Sequence, residues 1–371
     1  MPEPFDTLNF NRACALAMKG FALASPNPIV GCVICKGKEH VGEGFHRYDE
    51  RDHAEIVALK AAGEKARGST LFVNLEPCSH TGRTGPCADA IIAAGVRRVV
   101  AGMEDPNPKV AGRGFRKLRA AGIQVDLPLR EEQEFARRLN EAFACWVRTE
   151  RPFVTLKSAL TLDGQLAPPP STRKANSSWF TSEESRYRVH FMRHKSDALL
   201  TGIGTILADN PLLTDRSGFP RRRKLLRVVL DSRLRLPVKS RIVTTSDDDL
   251  LVFTAASLKS PKARLLEKAG AELVRLPSRH GRIDLISVID ELGHRDILSV
   301  LLEAGPGINT SAIASGIVNK IFLFYARIIA GKKTVPFAHS PFTLSSLGNV
   351  QFHQFGPDFA IEGYLSDPYA K

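Results

Sequence analysis

Apolar side chains recur at helical spacing over residues 9–19 (Phe10, Ala13, Cys14, Ala17, Met18), and Gly20 stands where such a helix would stop. Ser25-Pro26-Asn27-Pro28 predicts a turn, and the unbroken apolar run 29–35 predicts a buried strand. A second helical stripe (Ala54, Val57, Ala58, Ala61) runs from His53 to Gly63, so His53 and Glu55 fall in its first turn. Residues 69–75 and 98–102 predict further strands. Between them a helix opens on Pro86, covers 87–94 and closes at Gly95. One helical stripe over 131–147 (Phe135, Leu139, Phe143, Trp146) ends at the polar, proline-closed Arg148-Thr149-Glu150-Arg151-Pro152, which divides the chain into expected domains 1–147 and 148–371. Beyond it, short apolar runs at 153–157, 198–201, 227–230, 250–253, 297–303 and 320–325 predict strands, and 183–194 and 262–270 predict helices. Both halves thus read as α/β, helices packed on a sheet.

Composition adds little to this picture. With 371 residues, 43% hydrophobic and 25% charged, two cores can be filled. The net charge of +13 favours anionic partners, whether nucleic acid, phosphorylated metabolites or dinucleotides, without choosing among them. The run Arg221-Arg222-Arg223-Lys224 precedes a strand-like segment and reads as a solvated loop before a nucleic-acid patch. The apolar stretch 13–24 is interrupted by Lys19-Gly20 and lacks a charged leader, and no apolar run approaches the roughly 20 residues of a membrane span. A cytoplasmic, soluble protein without a membrane partner is expected; homo-oligomerisation is left open. Six cysteines in so long a chain do not form a disulfide framework.

The chemistry concentrates between His53 and Cys87. His53-Ala54-Glu55 is followed by Pro77-Cys78 and Pro86-Cys87. One imidazole and two thiolates leave a fourth tetrahedral position open on zinc, which suits catalysis. Zinc lowers the pKa of water to about 7, and Glu55, not itself a ligand, would take that proton and return it to departing ammonia. The same arrangement occurs in zinc deaminases of nucleobases. A structural zinc, or a core histidine with two buried thiols, is the bland alternative; four correctly typed residues in the correct order argue against it. Cys32 and Cys35 form a rival Cys-x-x-Cys, but residues three apart on a strand point to opposite faces and cannot share one ion.

Eight residues separate Cys78 from Cys87, more than in the nucleobase enzymes, and the insertion carries His80. With Ser25-Pro26-Asn27-Pro28-x-Val30-Gly31 before it and Asp105-Pro106-Asn107-Pro108-x-Val110-x-Gly112-x-Gly114 after it, residues 5–145 resemble the deaminase half of the bifunctional riboflavin-biosynthesis deaminase/reductase family. The resemblance implies a cytidine-deaminase-like α/β/α domain acting on a small phosphorylated pyrimidine, 2,5-diamino-6-ribosylamino-pyrimidinone 5′-phosphate, and not on nucleic acid. It implies His53, Cys78 and Cys87 as zinc ligands, Glu55 as the catalytic residue, and Asn27, His46 and His80 as substrate contacts.

The second half has no Gly-x-Gly-x-x-Gly after a strand. It has Gly202-x-Gly204-Thr205, Asp209-Asn210-Pro211-x-Leu213-Thr214-x-Arg216 and Glu303-Ala304-Gly305-Pro306-Gly307, which bring glycines to strand ends where backbone amides can approach phosphate. Their order, with Lys157 and Trp179, resembles the reductase half of the same family. That resemblance implies a dihydrofolate-reductase-like α/β fold and NADPH-dependent reduction of the ribosyl unit to ribityl. Cofactor contacts would be Ala159, Trp179, Thr205, Asp209, Gly305, Pro306 and Gly307; substrate contacts would be Lys157, Ser177, Arg193, Leu213, Arg216 and Glu303. Guanidinium forks suit a substrate phosphate. Asp231-Ser232, Arg233 and Arg235 stand where the cofactor's extra phosphate could be met. The chain departs from the family at Ala175-Asn176-Ser177-Ser178-Trp179, where an acidic residue and glycine are usual, in the extra segment 168–174, and at Ala326-Arg327-Ile328-Ile329-Ala330-Gly331, where a proline and paired glycines are usual. Two other readings are a deaminase of bases in RNA, which needs an aromatic-studded basic face that five tyrosines and two tryptophans scarcely supply, and a C-terminal non-catalytic binding or assembly module, which would not bind NADPH.

Overall fold

In the computed structural model the opening stripe forms α1 (Pro4–Met18), and the apolar run after the turn forms β1 (Gly31–Lys36). The structure describes residues 4–81, 85–167, 180–279, 281–331, 334–339 and 346–370. They fall in two units, Met1–Thr149 with Pro220–Arg222, and Glu150–Phe219 with Arg223–Lys371.

In the first unit β1 pairs antiparallel with β2 (Glu39–Phe45) and with β3 (Thr70–Val73), and β4 (Arg98–Ala101) and β5 (Gln124–Asp126) extend β3 in parallel. An unbroken apolar strand is what a central position covered on both faces requires. α1 lies flush on β1 and α2 (Ala54–Ala62) on β2, because glycine is all that fits between them. A Cβ on Gly31 would fall 2.2 Å from the Ala13 carbonyl oxygen, and one on Gly42 would fall 2.3 Å from that of Ala58. α3 (Cys87–Ala93) and α4 (Arg113–Ala120) follow β3 and β4. The loops leaving the carboxyl ends of these two parallel strands therefore share one edge, where open α/β sheets bind ligands.

Two local expectations shift. Pro86 is the residue before the helix, extended at ψ 129, with its carbonyl accepting from Asp89 N; the helix starts at Cys87. The single stripe over 131–147 is two helices, α5 (Arg130–Leu139) and α6 (Glu141–Thr149). Asn140 breaks it. Its buried side chain accepts from Ile29 N at 2.8 Å and donates to Ile29 O at 3.0 Å, fixing the chain between Asn27 and β1. Asn74 repeats the device, accepting from Gly31 N and donating to Ile29 O. Within this unit Arg222 is no solvated residue of a basic loop: it stacks 3.9 Å over Tyr48 and donates to Ser25 O.

The second unit runs β6 (Phe153–Thr161), β7 (Gln165–Ala167), α7 (Glu183–Lys195), β8 (Ala198–Gly202), α8 (Ile203–Asp209), β9 (Leu226–Leu230), α9 (Arg241–Thr244), β10 (Leu250–Thr254), α10 (Pro261–Lys268) and β11 (Ala271–Arg275). It continues through β12 (Ser278–Arg279), β13 (Arg282–Ile283), α11 (Leu285–His294), β14 (Ser299–Leu302), α12 (Pro306–Ala314), β15 (Lys320–Ala326), β16 (Val335–Pro336), β17 (Gly348–Phe355) and β18 (Asp358–Tyr364). Among the described residues nine strands form one sheet, ordered β11-β10-β9-β8-β14-β6-β15-β18-β17. It is parallel from β11 to β15 and closes with the antiparallel β18 and β17. Leu200, Val228, Leu230, Leu251 and Phe253 enter one core, while Leu199, Val229, Leu250, Val252 and Leu273 enter another, the strand alternation of a sheet covered on both faces. Among the described residues no helix is long and apolar enough to cross a membrane.

Candidate active sites

His53 is the residue before α2, and its ring faces the loop that follows β3. His53 Nδ1 lies 3.6 Å from Cys78 Sγ and 3.3 Å from Cys87 Sγ, and the three donor atoms lie within 4.8 Å of one another. Tetrahedral zinc with a Zn–N length of about 2.0 Å and Zn–S of about 2.3 Å places its donors about 3.5 Å apart. The donor set therefore fits zinc in both chemistry and spacing. Helix starts supply two of the three donors, Cys87 being the first residue of α3, and Cys87 N also donates to Cys78 Sγ at 3.3 Å. The neighbouring Cys87 thiol, seconded by His53 and by that backbone bond, holds Cys78 far below its ordinary pKa, at about 4, while Cys87 is pushed up by the same contact and by burial. His53 is raised, chiefly by its contact with Cys78.

Glu55, in the first turn of α2, is buried at 4% exposure. Burial, seconded by the charge on Cys78, lifts its carboxyl to about 7. A carboxyl poised there exchanges protons readily at neutral pH. Asn27 Nδ2 is 2.9 Å from His46 Nε2, His46 Nδ1 is 2.9 Å from Asp52 O, and the His46 ring meets that of His53 edge-on at 5.2 Å. These two expected substrate contacts thus adjoin the ligand cluster. His80 is exposed, and burial raises the half-buried carboxyl of Asp105 to about 6. Cys35 Sγ turns to Asn9 Oδ1 at 3.4 Å, and among the described residues neither Cys32 nor Cys35 joins a metal-ligating group.

In the second unit Lys157, in the middle of β6, and Glu303, just past the end of β14, lie 3.7 Å apart, and Arg193 on α7 clasps Glu303 with two bonds of 2.8 and 2.9 Å. Burial would raise the Glu303 carboxyl, but the charges of Arg193 and Lys157 outweigh it and bring it down to about 2. Burial lowers Lys157. Arg193 also donates to Thr214 O at 3.2 Å, and Arg227, fully buried on β9, donates to Leu212 O at 3.1 Å. Between these two carbonyls Leu213 takes a left-handed backbone at φ 55. Arg216 and Asp209 are exposed, Thr205 lies on α8 and Ala159 on β6. Gly305 and Pro306 open α12, with Gly307 next. A Cβ on Gly204, Gly305 or Gly307 would have nothing within 4 Å, so bare backbone faces open space there, as an approaching phosphate needs. Ser177, Trp179 and the extra segment 168–174 lie outside the described residues.

Glu76, Asp105, Asn74, Asn140 and Arg227 carry no role that the sequence alone reveals. Glu76 and Asp105 had a signal, since both lie inside the motifs that carried the resemblance; the partners of the other three are far away in sequence.

Fold and site together define a zinc-dependent deaminase joined to an α/β reductase. Residues 6–103 match the cytidine and deoxycytidylate deaminase zinc-binding region, and residues 152–361 match the RibD C-terminal domain. The chain belongs to the RibD family of riboflavin-biosynthesis proteins. It is 40% identical to the riboflavin biosynthesis protein RibD of Synechocystis sp. over 97% of this chain and 96% of that one. Among solved structures, Acinetobacter baumannii RibD superposes with a TM-score of 0.82 at 32% identity, covering 97% of this chain and 98% of that chain. The Thermotoga maritima diaminohydroxyphosphoribosylaminopyrimidine deaminase/5-amino-6-(5-phosphoribosylamino)uracil reductase superposes with a TM-score of 0.79 at 35% identity, again over 97% and 98%. The protein is a bifunctional enzyme of riboflavin biosynthesis, a hydrolase and an oxidoreductase, with zinc and NADPH as cofactors. The expected deaminase-like and reductase-like α/β folds are those found, and the readings as an RNA-base deaminase or a non-catalytic module are not favoured.

Proposed function

We propose that residues 1–147 carry the deaminase and 148–371 the reductase, and that the residues named from the sequence do the work. The observation that carries this is the convergence of His53, Cys78 and Cys87 with the buried Glu55 beside them. Zinc at these donors supplies a Lewis acid that makes water nucleophilic at neutral pH. Glu55 takes a proton from the attacking water and passes it to the leaving amine, so ring C–NH2 and water become ring C=O and ammonia. Asn27, His46 and His80 hold the diaminopyrimidinone ring. In the second domain, Lys157, Ser177, Arg193, Leu213, Arg216 and Glu303 bind the deaminated intermediate. Ala159, Trp179, Thr205, Asp209 and the Gly305-Pro306-Gly307 turn hold NADPH, which supplies the hydride that converts ribosyl to ribityl. The substrate is a free phosphorylated pyrimidine in the cytoplasm, with no nucleic-acid or membrane partner.

The test is an assay that follows ammonia and NADPH together. Glu55→Ala should retain zinc, lose ammonia release by about 10²–10⁴-fold, and oxidise NADPH normally when given the deaminated intermediate. Ammonia release at the wild-type rate would remove Glu55 from the proton path.

A further inference from the structure

The residue just before Pro77-Cys78 is a buried carboxylate, Glu76, at 4% exposure. It faces no cation. Its Oε2 accepts from Asp105 N at 2.9 Å and Gly112 N at 2.8 Å, and its Oε1 accepts from Gly114 N at 2.7 Å and Phe115 N at 3.2 Å. Gly112 is the residue before α4, left-handed at φ 72, and has no side chain with which to cap the helix. Glu76 supplies that cap from another loop. Backbone N–H groups at a helix start are unsatisfied donors that favour a negative charge. Glu76 N in turn donates to Met103 O at 2.9 Å, so the loops after β3 and β4 are tied in both directions.

The tie reaches the site from two sides. Along the chain it is two residues from the ligand Cys78. Through Asp105 N it fixes the loop that follows β4, at the same edge of the sheet. The fit is close, since a Cβ on Gly114 would lie 2.0 Å from Pro77 O. We propose that Glu76 is a positioning residue for deamination: by capping α4 across the loop it sets both the Cys78 ligand and the neighbouring loop that follows β4. This rests on His53, Cys78 and Cys87 being the zinc site.

The experiment uses the full chain. Glu76→Gln keeps the shape but replaces one acceptor oxygen with an NH2 group facing N–H donors. Zinc loss to a chelator should become about 10–100-fold faster, the range for removing support around metal ligands. The kcat for ammonia, counted per bound zinc, should fall by about the same factor, with KM little changed and NADPH oxidation on the deaminated intermediate at the wild-type level. A purely structural cap would lower the yield or melting temperature and leave zinc loss and kcat per zinc as in wild type; that result overturns the proposal. If Glu76→Gln gives no folded protein, Gly114→Ala decides. It leaves every acceptor in place and pushes α4 off Pro77, so it should show the same two losses, and wild-type behaviour would overturn the proposal. A wild-type enzyme holding no zinc would defeat the site assignment itself, and this inference with it.

Discussion

The two candidate sites are assembled in opposite ways. In the first unit the candidate reacting groups sit at helix starts: His53 precedes α2, Glu55 is in its first turn and Cys87 begins α3. Local geometry, repeated at two helix ends around one loop, brings them together. In the second unit Lys157, Arg193 and Glu303 come from β6, α7 and the end of β14, and nothing short of the whole sheet makes them neighbours. The first cluster is organised to hold a metal; the second is a buried network of opposite charges that holds itself. The first should therefore fail by losing its ion, and the second by losing its fold.

The largest effect should come from the ligands. Cys87→Ala, or exhaustive chelation of wild type, should bring ammonia release to background with zinc stoichiometry near zero, while NADPH oxidation on the deaminated intermediate persists. Loss of both activities on chelation would break the comparison.

Next is Glu303→Gln, which leaves Arg193 and Lys157 buried without their counter-charge. Breaking such a pair costs about 3–5 kcal/mol. Denaturant unfolding should show that loss in the second unit, NADPH oxidation should fail, and ammonia release should continue.

The charge network also predicts a pH dependence. Glu303 and Glu362, the latter paired with Lys320 at 2.8 Å, titrate at about 2 in the folded chain, burial being outweighed by the cations beside them. A carboxyl lowered on folding adds stability above its unfolded pKa and loses it as pH falls through the folded value. Stability of the second unit should thus decline from about pH 4.5 towards 2, and Glu362→Gln should flatten that decline. An unchanged slope in the variant would show that Glu362 is not part of the effect.

The smallest expected change is Asn140→Ala, which removes two bonds to Ile29. A cost of about 1–3 kcal/mol in the first unit is expected, read as a lowered melting temperature with zinc content intact.

The same contrast explains what was legible in the sequence. The helix carrying Glu55, the buried strand β1 and the apolar strands of the second unit follow from local periodicity. The cluster of His53, Cys78 and Cys87 was legible because residue type and order carry its chemistry. Asn140 was not, since an asparagine inside a helical stripe looks tolerable until its partner, 111 residues away, is known. β17 is an edge strand of mixed exposure, Gly-Asn-Val-Gln-Phe-His-Gln-Phe, with too little apolar alternation to stand out. Lys157, Arg193 and Glu303 were named only as substrate contacts, through family resemblance; their pairing with one another was not foreseen, because no spacing rule joins residues so far apart. Glu76 was in plain view beside Cys78, but a carboxylate whose partners are all backbone N–H groups leaves no complementary side chain to find.

Arg193 works at two addresses, with two donors on Glu303 and one on Thr214 O beside the left-handed Leu213. Lysine at this position would keep the charge, yet its single ammonium cannot reproduce the flat fork that serves both partners. A substitution table would score that exchange as mild; here it would separate holding a charge from holding the shape of a loop.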